Sequence, residues 1–417
     1  MRIVELTSVT QEKLLAARLT RDAQAERVAR RIVADVRRRG DTAVFGWTKR
    51  LDGFALNEDS LWIPQKQIRA AASKVSADFL RAAKQAARNI RLVAEQQLPR
   101  AWSVTVESGV RIRQAVSPID AVGCYVPGGR ASLVSTLLMT AIPAQVAGVP
   151  RIVAVCPKPN NEFLAVANLL DVREVARIGG AQAIAALAYG TQSLPLVEKI
   201  CGPGNKYVTA AKQIVAADCS IDLPAGPTEA IVLAEDGNAA WIAADLLAQA
   251  EHAPDAVSFL VTTSRKFGRE VSAQVVAQLC ALAPQNSAHR SIRAAGAILI
   301  APSLSDACAF VNRFAPEHLS LPSNAQSLLS QIRSSGTVFV GPWGAQPLGD
   351  YISGSNHVLP TGGWARRRGG LSAADFVKCV TVQQISRGGF ARLAGSAETL
   401  AMAENLPAHY NAVRIRR

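Results

Sequence analysis

Long apolar runs, paired cysteines and histidines are all scarce in this 417-residue chain, and each scarcity excludes something. The longest apolar candidate, around Leu133–Val149, is interrupted by Pro143 and Gln145. It falls short of the ~20 residues that a membrane-spanning helix requires. The opening MRIVELTSVTQEK carries Glu5 and Glu12 and leads to no small-residue cleavage site, so no signal peptide is expected. Seven cysteines (124, 156, 201, 219, 280, 308 and 379) are odd in number, scattered, and never spaced C-x-x-C. That pattern fits neither a disulfide framework nor a thiolate zinc finger. Most lie in apolar runs, where cysteine acts as a small buried hydrophobe. A reducing cytoplasm is the expected compartment.

Acidic residues are also outnumbered, 32 against 46 Lys and Arg, for a formal charge of +14. The excess is confined to the ends. Residues 1–100 hold 20 basic and 11 acidic side chains, and residues 361–417 hold 9 and 3, whereas residues 101–360 hold 17 and 18. A basic chain raises the possibility of nucleic-acid binding. No zinc finger, RNP-type aromatic motif or basic zipper accompanies the charge, and the arginines recur on amphipathic helices such as 27–39. They read as a solvated face. No nucleic-acid or membrane partner is expected.

Apolar residues at helical spacing predict two long helices over 10–39 and 64–97, with an irregular stretch from Trp47 to Pro64 between them. Alternation over 102–106 and 110–114 predicts a hairpin or edge strands. From Ile119 short β-branched runs alternate with Ala-rich helical ones. One series gives strands at 121–126, 152–156, 174–178, 196–200 and 220–223, with helices at 131–147, 162–170, 181–189 and 205–217. A second gives strands at 230–234, 257–262, 297–300, 319–321 and 337–340, with helices at 239–251, 265–282, 304–313 and 324–334. This βαβα rhythm predicts an α/β fold with two parallel sheets in tandem, divided near Pro224–Pro227. The last 50 residues lose the rhythm and read as a basic loop, Arg366–Arg368, followed by a helical tail.

Parallel sheets usually bind ligands at the carboxyl ends of their strands. Glycine-rich turns stand there in the first series: GCYVPGGR at 123–130, GGAQ at 179–182 and GPGN at 202–205. Such turns suit a phosphate or nucleotide, although no G-x-G-x-x-G fingerprint is present. Of the five histidines, four have acidic or amide company: Gln249 with His252, Glu317 with His318, Asp350 with His357, and Glu404 with His409. His289, in the polar run QNSAHR, is expected to be merely exposed. Gln oxygen, His nitrogen and Asp oxygen form a mixed donor set for zinc or another divalent ion. Glu317 beside His318 suggests general acid–base chemistry, with a solvated strand-start pair as the alternative.

These residues resemble the L-histidinol dehydrogenase family. The motifs that carry the likeness are Tyr125–Arg130, Gly179–Thr191, Gly202–Asn205, Ala225–Pro227, Asp245–His252, Pro316–Leu319, Gly349–Tyr351, Gly354–Pro360 and Glu404–His409. They span about residue 20 to the C-terminus. The resemblance implies an enzyme that uses zinc, one per subunit, and NAD to oxidise L-histidinol to L-histidine through the aldehyde, late in histidine biosynthesis. It implies two incomplete Rossmann-like parallel-sheet domains with a helical N-terminal extension and a C-terminal tail: 1–21 as extension, 22–119 plus 229–371 as the zinc-binding and catalytic domain, 120–228 as the NAD domain, and 372–417 as a tail crossing to the partner in a homodimer. By motif, Gln249, His252, Asp350 and His409 would hold zinc, with His409 from the other subunit. Tyr125, Gln182 and Asn205 would contact NAD, and Glu317 and His318 would be the acid–base pair. Thr228, Glu404 and His357 would line the substrate pocket together with the metal-binding residues and His318. Thr228 stands where the family most often has Ser, so the alternative is a related zinc- and NAD-dependent dehydrogenase of another small polar alcohol, such as a sulfonated diol.

Overall fold

The computed structural model describes residues 1–18, 22–128, 133–224, 226–323 and 325–417. Its strands, in chain order, are β1 (Arg2–Glu5), β2 (Trp102–Glu107), β3 (Val110–Pro118), β4 (Ala121–Tyr125), β5 (Arg151–Val155), β6 (Glu174–Ala176), β7 (Lys199–Cys201), β8 (Ser220–Ile221), β9 (Glu229–Leu233), β10 (Val257–Thr262), β11 (Ala297–Ile300), β12 (His318–Leu321), β13 (Thr337–Val340) and β14 (Val377–Ile385). A five-stranded sheet has the order β6-β5-β4-β7-β8 and a six-stranded sheet the order β1-β11-β10-β9-β12-β13. Both are parallel throughout. The two expected parallel α/β sheets are therefore present, each continuous with one of the two predicted series. A third, antiparallel sheet of order β14-β3-β2 contains the predicted hairpin.

Burial explains the strand composition. β4 (AVGCY) and β9 (EAIVL) are buried at every position, as central strands covered on both faces must be. Alanine-rich helices let those covers approach closely; in the helix Gly180–Tyr189 only Gly180 and Tyr189 escape burial. Apolar clusters lie on both faces of each parallel sheet. No helix among the described residues is long and apolar enough to cross a membrane. Five cysteines are buried and Cys280 and Cys379 are exposed, and none of the seven is in a disulfide.

Several local expectations are corrected. The predicted helix over 10–39 is two helices, Ser8–Ala17 and Ala23–Arg39, with residues 19–21 outside the described chain. The stretch expected to be irregular contains the helices Asp41–Asp52 and Glu58–Leu61; the first starts after Gly40 and stops at the left-handed Gly53. Helix 64–97 breaks into Gln65–Ala71 and Ala77–Gln96, the second capped by Ser76. The helix expected at 131–147 runs from Val134 to Ala147, residues 131 and 132 lying outside the described chain. The helix expected at 324–334 is only Ala325–Leu329. The strands β1 and β14 were not anticipated. β1 is short, and β14 is exposed on both sides, so neither shows a half-buried alternation.

Packing also regroups the N-terminal half. Ile32, Val33, Val36 and Val44 share a cluster with residues of β4 to β6, and Ile68, Ala83 and Ile90 share one with Val122 and Leu137. Residues 23–96 thus pack on the five-stranded sheet, and the helix Ala77–Gln96 also meets the segment around Ile352 and Val358, the Asn89 amide donating to the Ile352 carbonyl at 2.8 Å. The two parallel sheets follow one another closely in the chain: β8 ends at the carboxyl edge of the five-stranded sheet, and a short segment described at 222–224 and 226–228 leads to β9 at the amino edge of the six-stranded one. That segment is tethered. The Gly226 N–H donates to Thr361 Oγ1 at 2.5 Å, and Arg368 donates to the Asp222 carbonyl at 2.6 Å and to Asp375 Oδ1 at 2.6 Å. Part of the basic loop is therefore a brace rather than surface charge.

Candidate active site

The amino edge of the six-stranded sheet brings together most of the polar residues singled out in the sequence. Thr228 immediately precedes β9, and Glu317 immediately precedes β12; these strands are neighbours, with His318 in register with Ala230. The helix Ala239–Ala250 runs back from the far end of β9, so its last turn delivers Gln249 to the same edge, with His252 just beyond. The short helix Gln346–Tyr351 supplies Asp350. Thr228 and Glu317 stand just before strands, and Gln249 and Asp350 near the ends of helices.

Hydrogen bonds link the group into one network. Glu317 Oε2 accepts from the Thr228 hydroxyl and, at 3.0 Å, from the Glu229 N–H. Thr228 Oγ1 in turn accepts from Gln249 Nε2 at 2.6 Å, and Gln249 Oε1 accepts from Gln346 Nε2 at 2.6 Å. His318 Nδ1 lies 3.8 Å from Glu317 Oε2, and His318 Nε2 lies 3.5 Å from Asp350 Oδ1. His252 Nε2 lies 4.0 Å from Asp350 Oδ2, while its Nδ1 pairs with the Ala248 carbonyl at 2.9 Å. His357 Nδ1 pairs with the Asp350 carbonyl at 2.8 Å. In both rings the carbonyl fixes Nδ1 as the donor, which leaves Nε2 as the lone-pair nitrogen.

Charge is concentrated in a buried place. His318 is 4% exposed, and neither ring nitrogen has a hydrogen-bond partner within the protein. Burial opposes its protonation, but Glu317 and Asp350 outweigh burial and raise its pKa above the ordinary 6.5. Burial also works against ionised Asp350, yet His318 holds that carboxyl below its usual range. For His357 burial dominates and lowers the pKa. Beneath the network, burial pushes Glu229 up to about 7 against the pull of Arg18, whose guanidinium forms a buried ion pair with it.

The donor set suits a divalent cation: an amide oxygen, an imidazole nitrogen and a carboxylate, all converging beside a buried histidine with unsatisfied nitrogens. Among the described residues no group of three or more His, Cys, Asp and Glu is placed to hold a metal. Of the four expected ligands, the cluster brings together His252, Asp350 and the Gln249 amide. Glu404 and His409 are not part of it. Both are exposed on the C-terminal tail, Glu404 capping the helix Arg387–Ala403 and His409 on the helix Pro407–Arg414, and no hydrogen bond or ion pair joins either to the cluster.

A second group occupies the carboxyl edge of the five-stranded sheet. Tyr125 ends β4, and its phenol oxygen accepts from the Gly180 N–H at 3.1 Å; burial raises this phenol to about 12. Gln182 is fully buried, with Nε2 bonded to Asp52 Oδ2 at 3.1 Å and Oε1 lacking a partner. Asn205 is exposed and caps the helix Lys206–Val215 through bonds from Tyr207 N and Val208 N. The glycines there have packing reasons of their own. A Cβ at Gly128 or Gly179 would lie 2.6 or 2.7 Å from Pro157, and one at Gly202, where φ is +117°, would lie 2.0 Å from the Tyr125 carbonyl. Gly129, Arg130 and Ala225, which belong to the motifs, lie outside the described residues.

Two contributors escaped the sequence reading. Gln346 and Asp52 orient Gln249 and Gln182, and neither is distinguished by its neighbours in the chain. His289, expected to be exposed, is half-buried in the helix Ala288–Ala294 with an unpartnered Nε2.

Known proteins place these features in a lineage. The family model described as histidinol dehydrogenase matches residues 16–417. Histidinol dehydrogenase of Geobacter metallireducens is 41% identical over 427 residues, covering 100% of this chain and 98% of that protein. The enzyme of that name from Halalkalibacterium halodurans is 44% identical over 392 residues, covering 92% of each. A crystal structure of histidinol dehydrogenase from Elizabethkingia anophelis superposes with a TM-score of 0.93 at 34% identity, covering 100% of this chain and 97% of that one. With a match running through nearly every motif and both parallel sheets, this chain belongs to the histidinol dehydrogenase family.

Proposed function

We propose that the protein oxidises L-histidinol to L-histidine through L-histidinaldehyde, in two successive two-electron steps, each reducing one NAD. The observation that carries this reading is the convergence of Thr228, Gln249, His252, Glu317, His318 and Asp350 at one sheet edge, within a chain of this family. Gln249, His252 and Asp350 would hold a zinc ion, with His409 from a second copy as the fourth ligand, and Tyr125, Gln182 and Asn205 would contact NAD. When bound, zinc supplies polarisation of the reacting oxygen and NAD accepts hydride.

The chain's own groups divide the proton chemistry. His318, buried with Nδ1 3.8 Å from Glu317 Oε2 and Nε2 3.5 Å from Asp350 Oδ1, takes the proton of the alcohol as hydride leaves the carbon. Glu317 is held through Oε2 by Thr228 and the Glu229 N–H, so Oε1 is left to take a proton from the water that attacks the aldehyde. The first step converts the alcohol to the aldehyde with release of one proton; the second adds water and releases two as the carboxylate forms. Glu404 would bind the substrate's amino group from the partner's tail, and His357 would line the same pocket. In this reading residues 120–228 are the NAD domain and 229–371 carry the zinc and the acid–base pair.

NADH formation tests the assignment. L-Histidinol should yield two NADH per molecule consumed, and treatment with a chelator should abolish the reaction until zinc is restored. Activity on a sulfonated or other diol, with none on histidinol, would transfer the same apparatus to a different alcohol.

A further inference from the structure

Beneath the candidate acid–base pair lies an arginine that the proposed reaction does not use. Arg18 is the C-cap residue of the helix Ser8–Ala17, and its side chain is 7% exposed. A buried charge persists only if its geometry is good and its hydrogens are used. Here Nε donates to Glu229 Oε1 at 2.6 Å, Nη2 donates to Glu229 Oε2 and, at 3.5 Å, to the Ala315 carbonyl, and Nη1 donates to the Phe314 carbonyl. The guanidinium carbon sits 3.6 Å from the centre of the Phe314 ring.

Those acceptors are the two supports of Glu317. Phe314 and Ala315 form the end of the helix Leu304–Phe314, and Ala315 is left-handed at φ +50°, a conformation that a non-glycine residue adopts only when its surroundings impose it. Two residues later stands Glu317. On the opposite side, the Glu229 N–H is the backbone donor to Glu317 Oε2. Glu229 thus holds Glu317 with its main chain and Arg18 with its carboxylate.

We propose that Arg18 is a positioning residue for the Glu317–His318 pair: one planar guanidinium clamps the left-handed turn from which the pair departs to the strand start against which Glu317 is anchored. This rests on the roles proposed above for Glu317 and His318. Lysine cannot reproduce it, since a single ammonium lacks the fork that meets a carboxylate and two carbonyls together.

The test uses full-length, zinc-loaded enzyme with L-histidinol and NAD. Arg18→Ala should lower kcat by about 10²-fold, the scale on which small misplacement of a catalytic group acts, while KM for both substrates changes by less than about threefold. Guanidinium ion added to Arg18→Ala should restore a substantial part of kcat, and it should do nothing for Glu317→Gln. Rescue of that kind would not follow from a general loss of folding. If Arg18→Ala does not fold, Arg18→Lys decides: it should fold, keep its zinc content and lose at least about tenfold in kcat. A wild-type kcat in either folded variant, or a loss carried wholly by KM, overturns the proposal. Glu317→Gln separates the two levels, because full activity there removes the catalytic reading itself. Loss in Glu317→Gln with full activity in the Arg18 variants removes only the positioning role.

Discussion

At Glu317 the proposed reaction gives the two carboxylate oxygens separate duties. Oε2 is saturated by the Thr228 hydroxyl and the Glu229 N–H, so the position of the side chain does not depend on its charge. Glutamine can present an amide oxygen to the same two donors, leaving an NH₂ group where a proton acceptor stood. Glu317→Gln should therefore slow aldehyde oxidation by about 10²–10⁴-fold, the usual range for a lost general base, while alcohol oxidation falls far less. Single-turnover measurements starting from each substrate check this, and equal losses in both steps would contradict the assigned role. Adjacent Glu317 and His318 were conspicuous in the sequence. That Glu317 would be held by Thr228, and Gln249 by Gln346, was not legible, because those contacts join residues 89 and 97 positions apart. His289 shows the converse: a polar local sequence suggested exposure, and packing half-buried it.

Among the elements, the helix Ala239–Ala250 serves two demands. Its Ile242, Leu246 and Leu247 fill the core, while Gln249 is delivered to the site by the helix's return direction. Asp245 lies on the same helix, and burial raises its pKa from 3.8 to about 6. Because the folded value lies above the unfolded one, the folded state binds the proton more tightly. Stability is therefore lost as pH rises from about 4 through about 6, by an upper bound of ~3 kcal/mol. Asp245→Asn should raise the unfolding midpoint by a few degrees at pH 7.5 and leave it unchanged near pH 3.5, as followed by circular dichroism. An equal shift at both pH values would show that burial of the charge is not the cause. The α/β alternation from Ile119 to Val340 was readable because strands covered on both faces are nearly all apolar and their helices alanine-rich. β14 escaped because its partners leave it exposed, so its residues carry no burial pattern to read.

For the whole molecule, the tail sets the question of assembly. Glu404 and His409 stand exposed on it, beside exposed Leu400, Met402, Leu406 and Ile415. If a second copy receives these residues, each site combines Glu317 of one subunit with His409 of the other. Inactive His409→Ala subunits exchanged with inactive Glu317→Gln subunits should then recover up to about a quarter of wild-type activity. Random pairing makes half the dimers mixed, and each mixed dimer has one intact site. No recovery in verified mixed dimers would remove the crossing tail from the reading.

The sequence by itself determined the two parallel sheets, the family and the identity of nearly every candidate side chain, because these depend on local periodicity and on motifs that survive in one dimension. Only the tertiary structure decided where those side chains meet. It put the catalytic candidates at the amino edge of the six-stranded sheet, set the helices of residues 23–96 on the other sheet, and turned Arg18 and Arg368 from surface charge into internal braces. The reason is physical. Burial and pairing are made between segments hundreds of residues apart, and the free energy of an arginine depends on whether it faces water or a carboxylate.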